Sequence, residues 1–509
     1  MKKRTVVIAA AVAAVTVLSG CSAGGSDSTS TASGQTNLNV GVLRLPASWD
    51  VGTLDWGYAA QAVQAAYDTL IHAAPDGTFT PGLATAWSYN SPTEYQLTLR
   101  DGVTFADGTT FDAAAVKANI EHDKAATGPA VLQLADVQTV TVVDPTHVTI
   151  ELSQPNPSMT LVFSQIMGAM MSPKAIADPA SLATTPAGAG PYTLDPTTSV
   201  EKVNDSFVKN DKYWDAGNVD FTSINFKVYT DIAVSMNAYR AGELDFLITG
   251  PPQVAAGNAA GAKLLSPPGG IFNIILSDRA GTTLAPLGNV QVRQALNYAV
   301  NRQAIASPDV VPGVATDQFF GPSTEAYSKD FENLYPYDPD KAKALLTAAG
   351  YPNGFTLPVV SIAPLDSTLQ VIASDLAKVG VTVTINDVPQ AQYITARSDQ
   401  ANPAFFASDV PSASAFLDAQ KYLLPSGSLN PQHTQNDQII ALYNKGAAQS
   451  DADRAATYQQ MAKIALDDAW FLPVVQANNF FFYRSTVLDG VVATPGVNLP
   501  SIYTWKMAK

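Results

Sequence analysis

The stretch that most constrains this chain runs from Tyr337 to Ile385, where helix and strand signals follow one another without a gap. Asp338 stands where a helix needs an N-cap, and Pro339 occupies the first helical position, where a missing N–H costs nothing. Ala342, Leu345, Leu346 and Ala349 follow at helical spacing, and Gly350 supplies the stop. Leu357 to Ile362 then reads as a strand. Asp366 caps a helix carrying Leu369, Ile372 and Leu376, which ends at Gly380, and Val381, Val383 and Ile385 alternate as the next strand. Strand, helix, strand in this order is a βαβ unit. Its crossover is right-handed, and its binding crevice lies beyond the carboxyl ends of the strands. The fold class is therefore α/β.

The remainder of the body also mixes the two kinds of element. Asn39 to Leu45 reads as a first strand. Tyr95–Leu99 and Val103–Phe105 flank the Asp101-Gly102 turn and read as a hairpin, followed by a second turn at Asp107-Gly108. Asp112 caps the helix that opens after Phe111. Val137–Val143 and His147–Leu152 flank Asp144-Pro145 as a further hairpin. Gly242 ends a helix carrying Met236 and Tyr239, and Val292, Ala295, Leu296, Ala299 and Val300 line another. At roughly 100–200 residues per domain, 509 residues make two or three domains. An apolar content of 46% rules out a wholly disordered or fibrous chain.

The N-terminus reads as an address. Met1-Lys2-Lys3-Arg4 is basic, and Val6 to Leu18 is an apolar run too short to span a bilayer comfortably. Leu18-Ser19-Gly20-Cys21 looks like a bacterial lipobox, which implies removal of residues 1–20 and a lipid on Cys21; the alternative is an ordinary secretory signal. Cys21 is the only cysteine, so a disulfide framework within the chain and a Cys-rich metal site are excluded. Ser22 to Thr36 is rich in Gly, Ser and Thr and reads as a flexible tether, with residues 21–37 assigned to the tether as a whole. The expected product is a globular body held by a lipid anchor on the extracytoplasmic face of the cell membrane.

A search for chemistry finds no centre. Acidic residues outnumber basic ones 44 to 29 and the net charge is -15, which argues against a broad basic patch for nucleic acid. Gly20-Cys21-Ser22-Ala23-Gly24 has the spacing of a nucleophile elbow but straddles the cleavage site, where no strand precedes it. Ser199–Lys202 and Ser206–Lys209 match Ser-x-x-Lys without the partner motifs of penicillin-binding enzymes. His72, His122, His147 and His433 are isolated and show no metal-ligand spacing, so each reads as a surface or capping residue. Asp467 and Asp468 are adjacent on a helix and point about 100° apart, which does not make a two-carboxylate pair. No cofactor is implied. Binding, rather than catalysis, is the reading left.

Ordered segments then carry a resemblance. They are Tyr67-Asp68-Thr69-Leu70, Pro75-Asp76-Gly77-Thr78, Pro81 to Trp87, Leu99-Arg100-Asp101-Gly102-Val103-Thr104-Phe105, and Asp107-Gly108-Thr109 with Phe111, Ala115 and Val116. Gly190-Pro191-Tyr192, Asn210 to Trp214, Ala241 to Asp245, Val292 to Leu296, and Tyr337-Asp338-Pro339 through Tyr351 continue the series. Together they resemble the bacterial extracytoplasmic solute-binding proteins of family 5, the peptide/nickel class serving ABC importers. The resemblance implies a two-lobed, Venus-flytrap fold with an extra N-terminal subdomain. The lobes would be 38–268, including the subdomain at about 76–185, and 269–478, with 479–509 returning to the first. Hinge crossings would lie near Ser266–Gly270 and Gln476–Asn479. Most of the shared residues read as scaffold, Trp87, Tyr213 and Trp214 among them.

The same resemblance supplies candidate ligand contacts. In peptide-binding relatives an acid after a tryptophan pairs with the peptide's α-ammonium, and the matching stretch here is Phe406-Ala407-Ser408-Asp409-Val410-Pro411. Asp409 keeps the acid, Phe406 replaces the tryptophan, and Ser412 and Ser414 stand where relatives often carry Asp or Asn. Asp409 is thus a candidate for a cationic amine, or else a loop cap. Trp49 lies where the first cleft loop runs, as a cleft wall or a core residue. Phe405, Phe406, Phe319 and Phe320 are candidates for an aromatic pocket. Asn273 and Arg279 flank the strand entering the second lobe, and Arg279 offers a bidentate fork for a carboxylate or stands as a solvated arginine. The expected partners are a peptide or peptide-like cationic solute and the permease and ATPase of an importer, with the protein a monomer. A secreted hydrolase, or a sensory or structural surface lipoprotein on the same fold, are the rival readings.

Overall fold

The computed structural model describes residues 36–54 and 56–509, the side chains of Trp56 and Tyr58 excepted. The signal segment, Cys21 and nearly all of the tether lie outside the described residues. Three sheets of four or more strands organise the body. The first has seven strands, in spatial order Lys263–Leu265, Phe480–Tyr483, Phe246–Thr249, Asn37–Val42, Ser223–Val228, Asn204–Lys209 and Tyr192–Leu194. Its central strand, Asn37–Val42, runs parallel to both neighbours, and Leu38, Val40 and Val42 are buried. This strand starts and ends earlier than the sequence reading of Asn39–Leu45 places it.

The second sheet has six strands, ordered Gly313–Ala315, Phe471–Asn478, Pro268–Leu276, Ala404–Asp409, Phe355–Ser361 and Val381–Asp387. The last two are the parallel pair of the expected βαβ unit, in register from Phe355↔Val381 to Ser361↔Asp387. The intervening helix, Ala363–Ala377, begins three residues before Asp366, because Pro364 takes its first turn; Asp366 lies within that turn and does not cap it. The preceding helix, Pro339–Ala348, is as read, with the Asp338 carboxylate accepting from Lys341 N at 2.9 Å. Gly350 (φ 93°) and Gly380 (φ 89°) adopt the left-handed backbone that a helix exit requires.

The third sheet, of four antiparallel strands, comes from the N-terminal part: Ala84–Ser91, Glu94–Leu99, His147–Leu152 and Val137–Asp144. The hairpin at Asp144-Pro145 is present. The one at Asp101-Gly102 is not. Glu94–Leu99 pairs instead with Ala84–Ser91 and, about fifty residues on, with His147–Leu152, while Val103–Phe105 keeps one isolated bridge, Thr104 to Thr110. Against this sheet packs the helix Ala113–Ala125, capped by Asp112 as expected.

The two large sheets are joined twice. The chain leaves the first after Leu265 and enters the second at Pro268; it leaves the second after Asn478 and re-enters the first at Phe480. Pro268 pairs with Asn478, so both passages lie side by side. No helix among the described residues is long and apolar enough to cross a membrane.

Several of the ordered sequence segments meet in one buried cluster. The Asp68 carboxylate is fully buried and takes the Trp214 indole N–H at 2.6 Å and the His72 ring at 2.5 Å, while the Arg100 guanidinium lies 3.6 Å over the Trp214 ring. His72 stacks on Tyr503 at 4.2 Å, tying the C-terminal segment to the same point. A second cluster surrounds Arg293, which donates to the carbonyls of Leu287 and Asp468 and so fixes the end of the helix Asp451–Asp467. Asp467 pairs with Lys463 one turn back, a helix-surface pair and not a catalytic one. These motif residues are scaffold.

Candidate functional site

Asp409 ends the strand Ala404–Asp409, directly opposite Ile271 near the start of the strand entering the second sheet. The segment after it is where the second-sheet half meets the rest of the molecule. Ser414 Oγ lies 2.6 Å from Ser158 Oγ, buried, and a Cβ on Gly496 would meet Ala413 N at 2.7 Å. Within the second-sheet half, Gly321 closes on Pro411, with Gln476 behind it. Asn479, between the two sheets, donates to Asn498 Oδ1 at 2.9 Å. Asp409 therefore stands beside both inter-sheet passages.

Its charge is already answered. The carboxylate accepts from the Tyr422 hydroxyl at 2.6 Å and pairs with the Lys421 ammonium, yet remains 26% exposed. Both partners come from the helix Ala415–Tyr422, whose N-cap is Ser414, with Leu417 N donating to Ser414 Oγ. The same helix carries Asp418, almost fully buried. One oxygen accepts from Ser412 N at 3.0 Å, and the other has no partner among the described residues. Burial pushes its pKa up to about 7, against a downward pull from Lys421, with Asp409 adding to the rise. The Asp409–Lys421 pair thus lies beside a buried carboxyl whose charged form is disfavoured. Lys421, Tyr422 and Asp418 were missed in the sequence. Their signal was the i, i+3, i+4 spacing behind a serine cap, which marks one helix face but not what it faces.

The other candidates fall into separate places. Phe405 and Phe406 are both fully buried and, as neighbours on a strand, point to opposite faces of the sheet, with Phe406 packing on Phe272 at 5.9 Å. Phe319 and Phe320 are buried, and Phe319 contacts Phe471 at 4.4 Å and Tyr422 at 5.6 Å. That cluster supports the helix behind Asp409. Trp49 is in the core, edge-on to Phe207 at 5.9 Å, its carbonyl accepting from the Tyr67 hydroxyl at 2.6 Å. Asn273 lies mid-strand, buried, opposite Ala407, with no partner for its Oδ1 among the described residues.

Arg279 is not solvated. It is buried beyond the end of the strand Pro268–Leu276, stacked 4.2 Å over Trp470, with Nη1 donating to Asn430 Oδ1 (3.1 Å) and Thr434 Oγ1 (3.2 Å). Burial pulls its pKa down to about 9. Ile271 opposes Asp409 and Leu276 opposes Ala404, so five strand residues, about 17 Å, separate the Asp409 end from the end where Arg279 begins. Asp409 and Arg279 cannot grip one small ligand together.

Two large sheets sharing two adjacent strand passages, with a small antiparallel sheet appended, define the two-lobed fold of periplasmic binding proteins. Solved structures agree. AgaA of A. tumefaciens R10, determined with agropinic acid, superposes with a TM-score of 0.80 at 22% identity, covering 93% of this chain and 99% of its own. The Helicobacter pylori protein DppA with the peptide STSA gives 0.77 at 21%, covering 94% and 99%. The family model for bacterial extracellular solute-binding proteins, family 5, matches residues 78–433, and the chain belongs to that family. Among curated relatives, the glutathione-binding protein GsiB of Salmonella paratyphi A is 32% identical over 311 residues, 58% of this chain. The chain spans about three fifths (59%) of the length of that relative.

Proposed function

We propose that this protein is the substrate-binding component of an ABC importer, capturing a peptide or peptide-like solute outside the membrane and delivering it to the permease as its lobes close. The two sheets are the cores of the lobes, about 38–268 with 479–509 and 269–478, with the four-stranded sheet as the subdomain near 76–185. The hinges are the passages at 266–267 and at Asn479. Closure is a population shift, favoured by as much as the ligand prefers contacts with both lobes at once. Cys21 carries the lipid that holds the protein at the membrane.

The observation that carries this reading is the Asp409–Lys421 pair beside both passages. A zwitterion presents an ammonium and a carboxylate. It can exchange one internal ion pair for two intermolecular ones, the ammonium going to Asp409 and the carboxylate to Lys421, without leaving either charge unpaired. A simple amine would strand Lys421. Calorimetry with di- to tetrapeptides, glutathione and their N-acetylated forms tests the idea. Binding should need the free α-ammonium, and Asp409→Ala should weaken it by at least about 1.5 kcal/mol. Equal affinity for free and N-acetylated ligands would overturn the assignment of Asp409.

A further inference from the structure

Away from the lobe junction, Asp50, His122 and Asp123 bring two carboxylates and an imidazole together. One potential ligand atom from each lies within 4.8 Å of the others. Asp50 sits on the loop after the first strand, and His122 and Asp123 sit near the end of the helix Ala113–Ala125, more than seventy residues on. Sequence spacing could not reveal the group. The His122 Nε2 to Asp50 Oδ1 distance is 2.9 Å.

Asp123 is the unexplained member. It is 0% exposed, and neither carboxylate oxygen has a hydrogen-bond partner among the described residues. A buried carboxylate without a partner is costly. The residue is not there by slack packing. Gly128 N donates to the Gly52 carbonyl at 3.0 Å, Val51 N points at Met171 Sδ at 3.3 Å, and a Cβ on Gly52 would lie 3.1 Å from Asp123 Oδ1. Loop and helix are held together with the two acids facing each other.

We infer that Asp50, His122 and Asp123 form a divalent-cation site that clamps the first loop to the subdomain helix. Two carboxylates and a neutral imidazole carry two negative charges, which balance one divalent ion and give the Asp123 carboxylate the partner it lacks. A mixed nitrogen–oxygen set with three protein ligands suits Zn²⁺ or Co²⁺ better than Ca²⁺ or Mg²⁺, which take oxygen alone. Ligand atoms around a tetrahedral ion at about 2.1 Å lie about 3.4 Å apart, so the three side chains need only converge slightly. Binding would displace the His122–Asp50 hydrogen bond and join two segments that the chain brings together only on folding, so the ion stabilises the folded form by mass action.

The test uses the purified full chain, stripped with EDTA and returned to buffer without chelator. Titration with Co²⁺ followed by visible absorption, and with Zn²⁺ by calorimetry, should give one equivalent, and each metal should raise the melting temperature. Asp123→Asn and His122→Gln should each weaken binding at least tenfold, while His147→Ala, at the exposed Asp144–His147 pair, should leave it unchanged. No uptake and no thermal shift in the wild-type chain would overturn the site, with a buried water then serving Asp123. So would undiminished binding in His122→Gln, or loss of binding in His147→Ala. The wild-type titration and His122→Gln decide the matter even if Asp123→Asn does not fold.

Discussion

Asp418 gives a prediction whose size comes directly from its surroundings. It is 1% exposed, it has one oxygen without a partner, and its carboxyl sits at about 7 instead of 3.8 because burial penalises the charged form. At 1.36 kcal/mol per pKa unit the difference is on the order of 4 kcal/mol. The sign follows from proton counts. Between pH 3.8 and about 7 the folded chain holds a proton that the unfolded chain has released, so stability falls as pH rises through that window and levels off above it. Asparagine copies the protonated carboxyl in shape and charge, and its amide oxygen can still accept from Ser412 N. Asp418→Asn should therefore match the wild type near about pH 4 and exceed it at about pH 8, by up to about 4 kcal/mol. Urea unfolding followed by tryptophan fluorescence at both pH values is the assay. A variant less stable than the wild type at the higher pH, or a gap that does not change with pH, would refute the reasoning.

Two further predictions concern the second sheet. Arg302 is buried and donates to the carbonyls of Pro473, Asn297 and Tyr335 and to Asn297 Oδ1, at 2.7–3.2 Å; Arg302→Met should cost about 3 kcal/mol or more in urea unfolding, and a loss under about 1 kcal/mol would contradict it. Gly354 has φ 72°, and a Cβ there would sit 1.9 Å from the Gly380 carbonyl oxygen, where the parallel pair begins; Gly354→Ala should destabilise by about 2 kcal/mol or more, and an unchanged melting temperature would show that the turns leading into these two strands can move apart freely.

What could be read from the sequence was what local chemistry decides. The Asp112 and Asp338 caps, the glycine exits at Gly350 and Gly380 and the Asp144-Pro145 hairpin each rest on a few adjacent residues, and each is present. The errors came where neighbours compete. Asp101-Gly102 looks like a hairpin turn, but the strand before it finds its partner at His147–Leu152, and no local signal weighs a distant strand against a near one. Asp366 lost the start of its helix to Pro364 because a proline at the first turn needs no donor.

The site was harder to read because its parts differ in position along strands and not in residue type. The strand Ala404–Asp409 shows why. Phe405 and Phe406 look equally suited to an apolar pocket, but a period of two sends them to opposite faces, into two different cores. Asp409 is the residue of that strand that reaches the passages between the sheets, because it is the last one, and the same register places Arg279 beyond the far end. An acid and an arginine that a sequence sets side by side as candidates for the two ends of a ligand are thus assigned different work. Arg279 packs a core against Trp470, and the cation near Asp409 is Lys421, twelve residues further along the chain. On the proposed reading, ligand choice depends on which internal pair a ligand can replace. Substitutions at Lys421 should then alter ligand choice as strongly as those at Asp409.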